Sequence, residues 1–199
     1  MKKYHNFIRN LFLCLFLLLI AAQAESGDLS KAPLLDELGF SAGYSVILAE
    51  ELDNQEQYYP LLLMGTISLN LTRKRTAAGS RGRLLWYFEP QINPVIYRDR
   101  FSEIEFGATV IGLKYRYNFS PRFCGYAMIG SGPHFISVVC DKQASGYIFS
   151  DNFAIGICKY GPGGTGINLQ LRYRHISNAG IMEPNWGIDN LFLVGGMEW

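Results

Sequence analysis

The sequence has few of the residues that hold small secreted domains together or bind a metal. It contains four cysteines and three histidines in 199 residues, and Cys14 lies in the apolar N-terminal run. The other three cysteines are Cys124, Cys140 and Cys158, an odd number, so a disulfide framework does not organise the fold. The histidines are far apart in sequence and form no ligand-spaced cluster. No metal, nucleotide or redox cofactor is therefore indicated.

The sequence also has almost no net charge. Eighteen Lys and Arg residues oppose 17 Asp and Glu residues, which leaves a formal charge of +1. This balance gives no indication of a large electrostatic partner such as nucleic acid. Beyond the N-terminus, no apolar run is long enough to form a transmembrane helix. The hydrophobic residues, 49% of the chain, are instead spread over short segments.

The N-terminus has the three parts of a secretory leader. Residues 1–10 are basic, residues 11–20 are apolar, and Ala22-Gln23-Ala24 follows the small-x-small pattern of a cleavage site. We expect a signal peptide at residues 1–24, cleaved after Ala24, and then a periplasmic segment at residues 25–38. An uncleaved membrane anchor is the alternative, but the apolar run is short for a membrane span.

The rest of the chain alternates between apolar and polar residues with a period of two. In the stretch 165–174, for example, apolar residues at odd positions alternate with Asn, Gln and Arg at even positions. In the stretch 103–117 the parity changes near Val110, which predicts a β-bulge there. The pattern predicts eight strands, at 39–49, 59–72, 83–92, 103–117, 122–134, 147–157, 165–174 and 189–199.

Strands of this length and pattern predict an all-β fold, an eight-stranded antiparallel up-and-down transmembrane β-barrel over residues 39–199. A soluble β-sandwich is the alternative. Three features favour the barrel: the polar faces carry charges, Tyr and Trp lie near strand ends, and the last strand ends in Trp199. The short connections NFSPR and YGPGG fit periplasmic turns. Longer ones fit extracellular loops, namely EELDNQEQY, NPVIYRDRFS, FISVVCDKQASG and NAGIMEPNWGI, whereas TRKRTAAGSRGR is long and basic for a turn.

Three polar residues near the C-terminus interrupt the apolar rows. His175 and Ser177 continue the odd-numbered row that includes Tyr173, and Asp189 has the parity of Leu191. Since side chains on one strand repeat every two residues, all three are expected on the lipid-facing surface. The predicted strand 165–174 runs toward the extracellular loop NAGIMEPNWGI. His175, Ser177 and Asp189 would therefore converge at the level of the outer leaflet.

These residue types can perform ester hydrolysis. Ser177 becomes a nucleophile when His175 removes its proton, and Asp189 can orient and stabilise the imidazole. Backbone N–H groups at 178–180 or the amide of Asn185 could stabilise a developing oxyanion. The simpler alternative is an interfacial His and Ser followed by a polar loop.

The segment RHISNAGIMEPNWGID resembles the active-site motif of the outer-membrane lipid A 3-O-deacylases, the PagL family. That motif is approximately His-x-Ser-Asn-Ala-Gly, followed by Pro-Asn-x-Gly-x and an acidic residue. The resemblance is specific over this segment, looser from Tyr147 onward, and limited to architecture before that. It implies an eight-stranded barrel with a serine hydrolase site that faces the outer leaflet.

By the same resemblance, Ser177 is the nucleophile, His175 the base and Asn185 a contributor to the oxyanion hole. Asn178 and Gly180 would shape that hole. The chain departs from the family pattern at the acidic position, where Asp189 stands in place of Glu. The shorter side chain requires either a closer backbone or a smaller contribution from the carboxylate.

The resemblance implies a serine-type lipid A 3-O-deacylase of the Gram-negative outer membrane, which hydrolyses the 3-position acyl ester of lipid A through Ser177, His175 and Asp189. Its substrate would be lipid A or lipopolysaccharide, and no cofactor would be needed. Two alternatives remain open: a non-enzymatic structural or adhesive barrel, and a phospholipase that acts on the outer leaflet.

Overall fold

The protein, described here from a computed structural model, is a closed β-barrel of eight antiparallel strands. The structure describes residues 35–47, 58–72, 81–98 and 100–199. Each strand neighbours the next in sequence, and β1 pairs with β8 to close the barrel. The strands are β1 Leu35–Ile47, β2 Tyr58–Asn70, β3 Gly82–Tyr97, β4 Arg100–Ser120, β5 Phe123–Ile136, β6 Gly146–Tyr160, β7 Gly166–Ser177 and β8 Ile188–Glu198.

The predicted fold class is thereby confirmed. The barrel belongs to one compact unit, Asp36–Trp199. The leader predicted at residues 1–24 lies outside the described residues, as does most of the segment 25–38. Among the described residues, no helix is long and apolar enough to cross a membrane.

Each strand presents apolar side chains outward and polar ones inward. On β7, Leu169, Leu171 and Tyr173 are exposed on the outer wall, whereas Arg172 and Arg174 are buried in the lumen. The period of two in the sequence produces this division, because successive side chains of a strand point to opposite faces. Residues on the outer wall therefore face whatever surrounds the barrel.

The predicted bulge on β4 is confirmed. The register between β4 and β5 shifts between Gly107 and Ile111, a stretch that includes Val110. Both Val110 and Ile111 are exposed on the outer wall, although they are adjacent in sequence. The extra residue lets both apolar halves of this strand face outward.

The connection between β3 and β4 is shorter than the sequence suggested. The prediction of an extracellular loop at NPVIYRDRFS is therefore wrong. The two strands remain paired as far as Tyr97 and Arg100. Asn93 is buried, and it donates a hydrogen bond to Glu105, its register partner on β4, on the lumen side of the two strands. Its backbone is therefore part of the wall. The loops predicted after β5 and β7 are present. Most residues of the connections predicted at 50–58 and 72–83 lie outside the described part of the chain.

Buried ion pairs fill the lumen. Arg172 binds Glu89 through two hydrogen bonds of 2.5 and 2.8 Å. Arg174 binds Glu105 through two bonds of 2.6 and 3.1 Å and donates a third, 2.9 Å long, to Asn190. Such paired geometry compensates the guanidinium and the carboxylate for the loss of water. The ion pairs join strands on opposite sides of the barrel.

An apolar cluster fills the end of the barrel that carries the loops after β5 and β7. Ile176 and Ile188, which flank the polar residues of interest on β7 and β8, are buried in it. Its other buried members are Tyr58, Val95, Ile136, Val138, Cys140 and Ile148. The cluster packs against β7 and β8 from inside the barrel. It therefore fixes the backbone of the residues next to Ile176 and Ile188, whose side chains face outward.

We expect Glu105→Gln to destabilise the barrel by about 3–5 kcal/mol, because it leaves the buried guanidinium of Arg174 without a countercharge. The free energy of unfolding in detergent, followed by denaturant titration, measures the loss. Glu183→Gln, a change at an exposed loop carboxylate, is the control and should match the parent. Equal stability of the Glu105 variant would show that the lumen tolerates the unpaired charge.

Candidate active site

The candidate site is built on the pairing of β7 with β8. His175 and Asp189 are direct partners in the register of these two strands. The Nδ1 atom of His175 lies 2.8 Å from the Oδ1 atom of Asp189. Both side chains are on the outer wall and are 33% and 43% exposed, respectively. A carboxylate can only accept a hydrogen bond, so Nδ1 carries the hydrogen and Nε2 is the basic nitrogen of the neutral ring.

Tyr173 is a second partner of the same carboxylate. Its hydroxyl donates a 2.5 Å hydrogen bond to the Oδ1 atom of Asp189. Tyr173 precedes His175 by one outward position on β7, so both donors reach Asp189 from one strand. Sequence reasoning treated Tyr173 only as an apolar member of the outer row. Its parity with His175 is the signal that could have identified it.

Ser177 is the last residue of β7 and lies on the same face as His175. Its register partner is Phe149 on β6, and its side chain is half-buried. Within the described residues, no hydrogen bond joins the Ser177 hydroxyl to His175. Bonds between a nucleophile and its base are often looser without substrate than in the reacting complex.

The loop after Ser177 is organised by the side chain of Asn178. This buried amide donates to the carbonyl of Met182 at 2.6 Å and accepts from the N–H of Gly180 at 3.0 Å. Ala179 and Gly180 both have positive φ, 55° and 78°, which turns the chain sharply away from β7. Gly180 tolerates this conformation because it has no Cβ atom.

Asn185 reaches back across the same loop. Its Oδ1 atom accepts a 2.7 Å hydrogen bond from the backbone N–H of Asn178. Two of the N–H groups expected to face an oxyanion, those of Asn178 and Gly180, are therefore already used inside the loop. The Asn185 amide NH₂ and the Ala179 N–H form no hydrogen bond among the described residues. They are the donors that a bound oxyanion can use.

A second loop, between β5 and β6, holds Asn185 in place. Gln143 forms an isolated β-bridge with Asn185 and is fully buried. The N–H of Ala144 donates to the carbonyl of Pro184 at 2.9 Å, and the N–H of Trp186 donates to the carbonyl of Lys142 at 2.8 Å. This clamp depends on two distant parts of the chain, so no local sequence pattern indicated it.

Gly187 packs directly against the imidazole of His175. A Cβ atom added at Gly187 would lie 2.5 Å from Cε1 and 3.0 Å from Nε2 of that ring. Gly187 also has a φ of 79°, a conformation that side chains other than glycine rarely adopt. The residue therefore limits where the ring can lie.

An apolar groove runs along the outer wall beside the site. Its volume is about 410 Å³, and Tyr173 forms part of it. Asp151, the register partner of His175 on β6, places a second exposed carboxylate at the edge of this groove. The groove is also lined by Ile111, Leu113, Ile129, Gly130, Ser131, Asn152 and Phe153. An extended hydrocarbon chain can lie in such a groove.

Comparison with known proteins identifies the family of this chain and a solved structure of similar fold. The family model for "Lipid A 3-O-deacylase (PagL)" matches residues 42–198. The crystal structure of the outer membrane enzyme PagL is similar to this barrel, with a TM-score of 0.55 and 18% identity over 81% of this chain and 98% of that chain. At this identity, the structural likeness shows the fold alone.

The outer membrane protein Ail of Yersinia pestis is a more distant neighbour, with a TM-score of 0.40 and 11% identity over 82% of this chain and 99% of that chain. No curated protein matches the sequence. The family match spans β2 to β8 in full and residues 42–47 of β1. The chain belongs to the PagL family of outer-membrane lipid A 3-O-deacylases.

Proposed function

We propose that this protein hydrolyses the 3-position acyl ester of lipid A in the outer leaflet with a Ser177–His175–Asp189 triad. The observation that carries the proposal is the 2.8 Å contact between His175 and Asp189. It lies on the outer wall of a membrane barrel, on the same strand face as Ser177. A base oriented by a carboxylate beside a serine is the arrangement that activates a hydroxyl for acyl transfer.

The reaction takes place in two steps. The Oγ atom of Ser177 attacks the ester carbonyl carbon while Nε2 of His175 accepts its proton, and Asp189 stabilises the imidazolium. The tetrahedral intermediate then collapses, the bond between the carbonyl carbon and the sugar oxygen breaks, and His175 protonates that oxygen, which leaves as a hydroxyl. Water, deprotonated by His175, attacks the acyl-serine in the second step. This step releases the fatty acid and restores the Ser177 hydroxyl.

The oxyanion of each intermediate needs donors that are fixed before the reaction. The NH₂ group of Asn185 fits this role, because its other amide atom, Oδ1, is bound to the N–H of Asn178. The β-bridge to Gln143 fixes the backbone at this position. We assign Asn178 and Gly180 to shaping the loop around the hole, since their own N–H groups are engaged within it.

Asp189 can replace the family glutamate because of where it lies. It faces His175 directly across the β7–β8 pair, so the shorter side chain spans the distance to Nδ1. Tyr173 adds a second hydrogen bond to the carboxylate. The exposed polar groups are near a strand end, where a charge on the outer wall of a barrel costs little.

The apolar groove beside the triad accounts for a lipid substrate. It borders Tyr173 on the outer wall, so an acyl chain can remain in a hydrophobic environment while its ester reaches Ser177. At this end, the loops after β5 and β7 are longer than the connections after β4 and β6 at the other end, as expected for the extracellular side. Together these features support a site at the level of the outer leaflet.

We expect Ser177→Ala to abolish deacylation, with a loss of at least about a thousandfold, because the attacking oxygen is removed. Mass spectrometry of lipid A from cells that express each variant measures the released 3-position chain. Ser120→Ala, at the opposite end of the barrel, should retain full activity. Unchanged products from the Ser177 variant would refute the nucleophile assignment, and cleavage of phospholipid alone would refute the substrate.

We expect Asp189→Asn to lower the rate sharply but to leave more activity than Ser177→Ala, because the carboxylate orients the base and does not react. Asp189→Glu restores the family residue and should retain activity. Both variants are compared in one lipid A deacylation assay. If both match the parent rate, Asp189 lies outside the reacting group and another residue orients His175.

We expect Gly187→Ala to reduce kcat by about a hundredfold, because the added methyl group displaces the His175 ring and a small misplacement of a catalytic group is costly. Gly164→Ala is the matched control. Gly164 has a similar φ of 82° but no atom within 4 Å of an added Cβ. A rate in the Gly187 variant equal to that of this control would show that the ring position is not critical.

A further inference from the structure

A second cluster of reactive side chains lies inside the barrel, at the end that carries the turns after β4 and β6. Cys124 on β5, Cys158 on β6 and Glu198 on β8 each direct one possible ligand atom into it, and these atoms lie within 4.8 Å of one another. The three residues are only 1%, 0% and 4% exposed. We propose that they bind a divalent, thiol-preferring cation, with Zn²⁺ as the best fit.

The pairing of the two cysteines suits a metal ion better than a disulfide. Cys124 and Cys158 are direct register partners on β5 and β6. Two residues further along the same pair, the N–H of Tyr160 donates to the carbonyl of Arg122 at 2.8 Å. Hydrogen-bonded pairs recur every two residues along an antiparallel ladder, so Cys124 and Cys158 also form a hydrogen-bonded pair. The side chains of a hydrogen-bonded pair are farther apart than those of a non-hydrogen-bonded pair.

A disulfide requires Cβ atoms that are about 3.5–4.5 Å apart. This distance favours a non-hydrogen-bonded pair, in which the side chains are closer. Zinc instead binds each sulfur at about 2.3 Å and therefore holds two sulfurs about 3.8 Å apart. The 4.8 Å limit on the ligand atoms is compatible with that spacing. A bridging ion thus accommodates cysteines on strands that keep their backbone hydrogen bonds.

Glu198 supplies the third ligand, and its orientation is already set. The Tyr160 hydroxyl donates a hydrogen bond to its Oε1 atom. Lys114 lies 3.6 Å from its Oε2 atom. The hydrogen bond from Tyr160 is of the kind that fixes ligating carboxylates in metal sites, and the ion pair with Lys114 holds the other oxygen. Three protein ligands leave the fourth tetrahedral position to water.

The neighbouring strand leaves room for one of the sulfurs. Gly166 begins β7 beside Cys158, and a Cβ atom added there would lie 2.5 Å from the Cys158 Sγ atom. The same Cβ atom would lie 2.8 Å from Cε1 of the Tyr160 ring. The glycine therefore leaves room both for the sulfur and for the tyrosine that contacts Glu198.

The charges around the cluster are compatible with a bound dication. Glu37 is paired with Lys114 at 2.6 Å and with Arg116 at 2.7 Å. Together with Glu198, these groups comprise two carboxylates and two cations, which neutralise each other. When a divalent ion binds, the two thiols release two protons and the two thiolates balance its charge. Binding therefore leaves the net charge of this buried region unchanged.

The full chain offers a matched control for this site. Cys140 lies in the apolar cluster near the opposite end of the barrel and contributes no ligand atom. Cys140→Ser therefore removes a thiol and keeps the proposed ligands. Cys124→Ser and Cys158→Ser each remove one ligand, and Glu198→Gln keeps the shape of the third while removing its charge.

The experiment is a Co²⁺ and Zn²⁺ titration of the full chain, folded in detergent and freshly reduced, with heat-modifiable gel migration as the test of folding. We expect one ion per chain and a thiolate-to-cobalt charge-transfer band in the parent and in Cys140→Ser. The band should disappear in Cys124→Ser and Cys158→Ser. In Glu198→Gln the affinity should fall by at least about tenfold.

Three results would overturn the proposal: no binding by the parent, binding retained without Cys124, or a parent whose two thiols resist reduction as a Cys124–Cys158 disulfide. If a serine variant does not fold, the folded Cys140→Ser protein decides the question alone. Among the described residues, Cys124 and Cys158 are the only cysteines that the Cys140→Ser protein retains. Loss of its cobalt band after thiol alkylation supports the site, and an unchanged band refutes it.

Discussion

The arrangement of this protein depends on the register between β7 and β8. The pairing of these two strands places His175 opposite Asp189, and a shift of one residue in either strand would move its polar side chain from the outer wall to the lumen. Buried Ile176 and Ile188 oppose such a shift, because each lies next to a polar residue and anchors its strand in the apolar cluster. The packing inside the barrel thereby maintains the chemistry proposed outside it.

The lumen provides rigidity of a different kind. Arg172 and Arg174 alternate with the outward residues of the same strand and bind Glu89 and Glu105 across the interior. These charges hold β7 from within while its outer face presents the candidate site. A barrel whose lumen is filled with paired charges has little freedom to change its register, so a site on its wall is positioned without a second domain.

The loops complete the site through contacts that are distant in sequence. Asn185 accepts the N–H of Asn178 within one loop and forms a bridge with Gln143 of another. A local sequence motif can indicate the first contact, because Asn178 and Asn185 lie in the same loop. It cannot indicate the second, because Gln143 is distant in sequence. The same distinction applies to the three proposed metal ligands. Cys124, Cys158 and Glu198 have no characteristic spacing, yet the closed barrel brings them together.

The sequence by itself determined the eight strands, the barrel class and the outward direction of His175, Ser177 and Asp189, because a period of two assigns each side chain to a face. It misjudged the connection after β3, since the buried bond from Asn93 to Glu105 cannot be read from local polarity. Only the tertiary structure decided which residues meet. Tyr173 on the Asp189 carboxylate, Gly187 against the His175 ring and the three-ligand cluster in the lumen all depend on pairing between strands, and alternation within one strand carries no information about its neighbours.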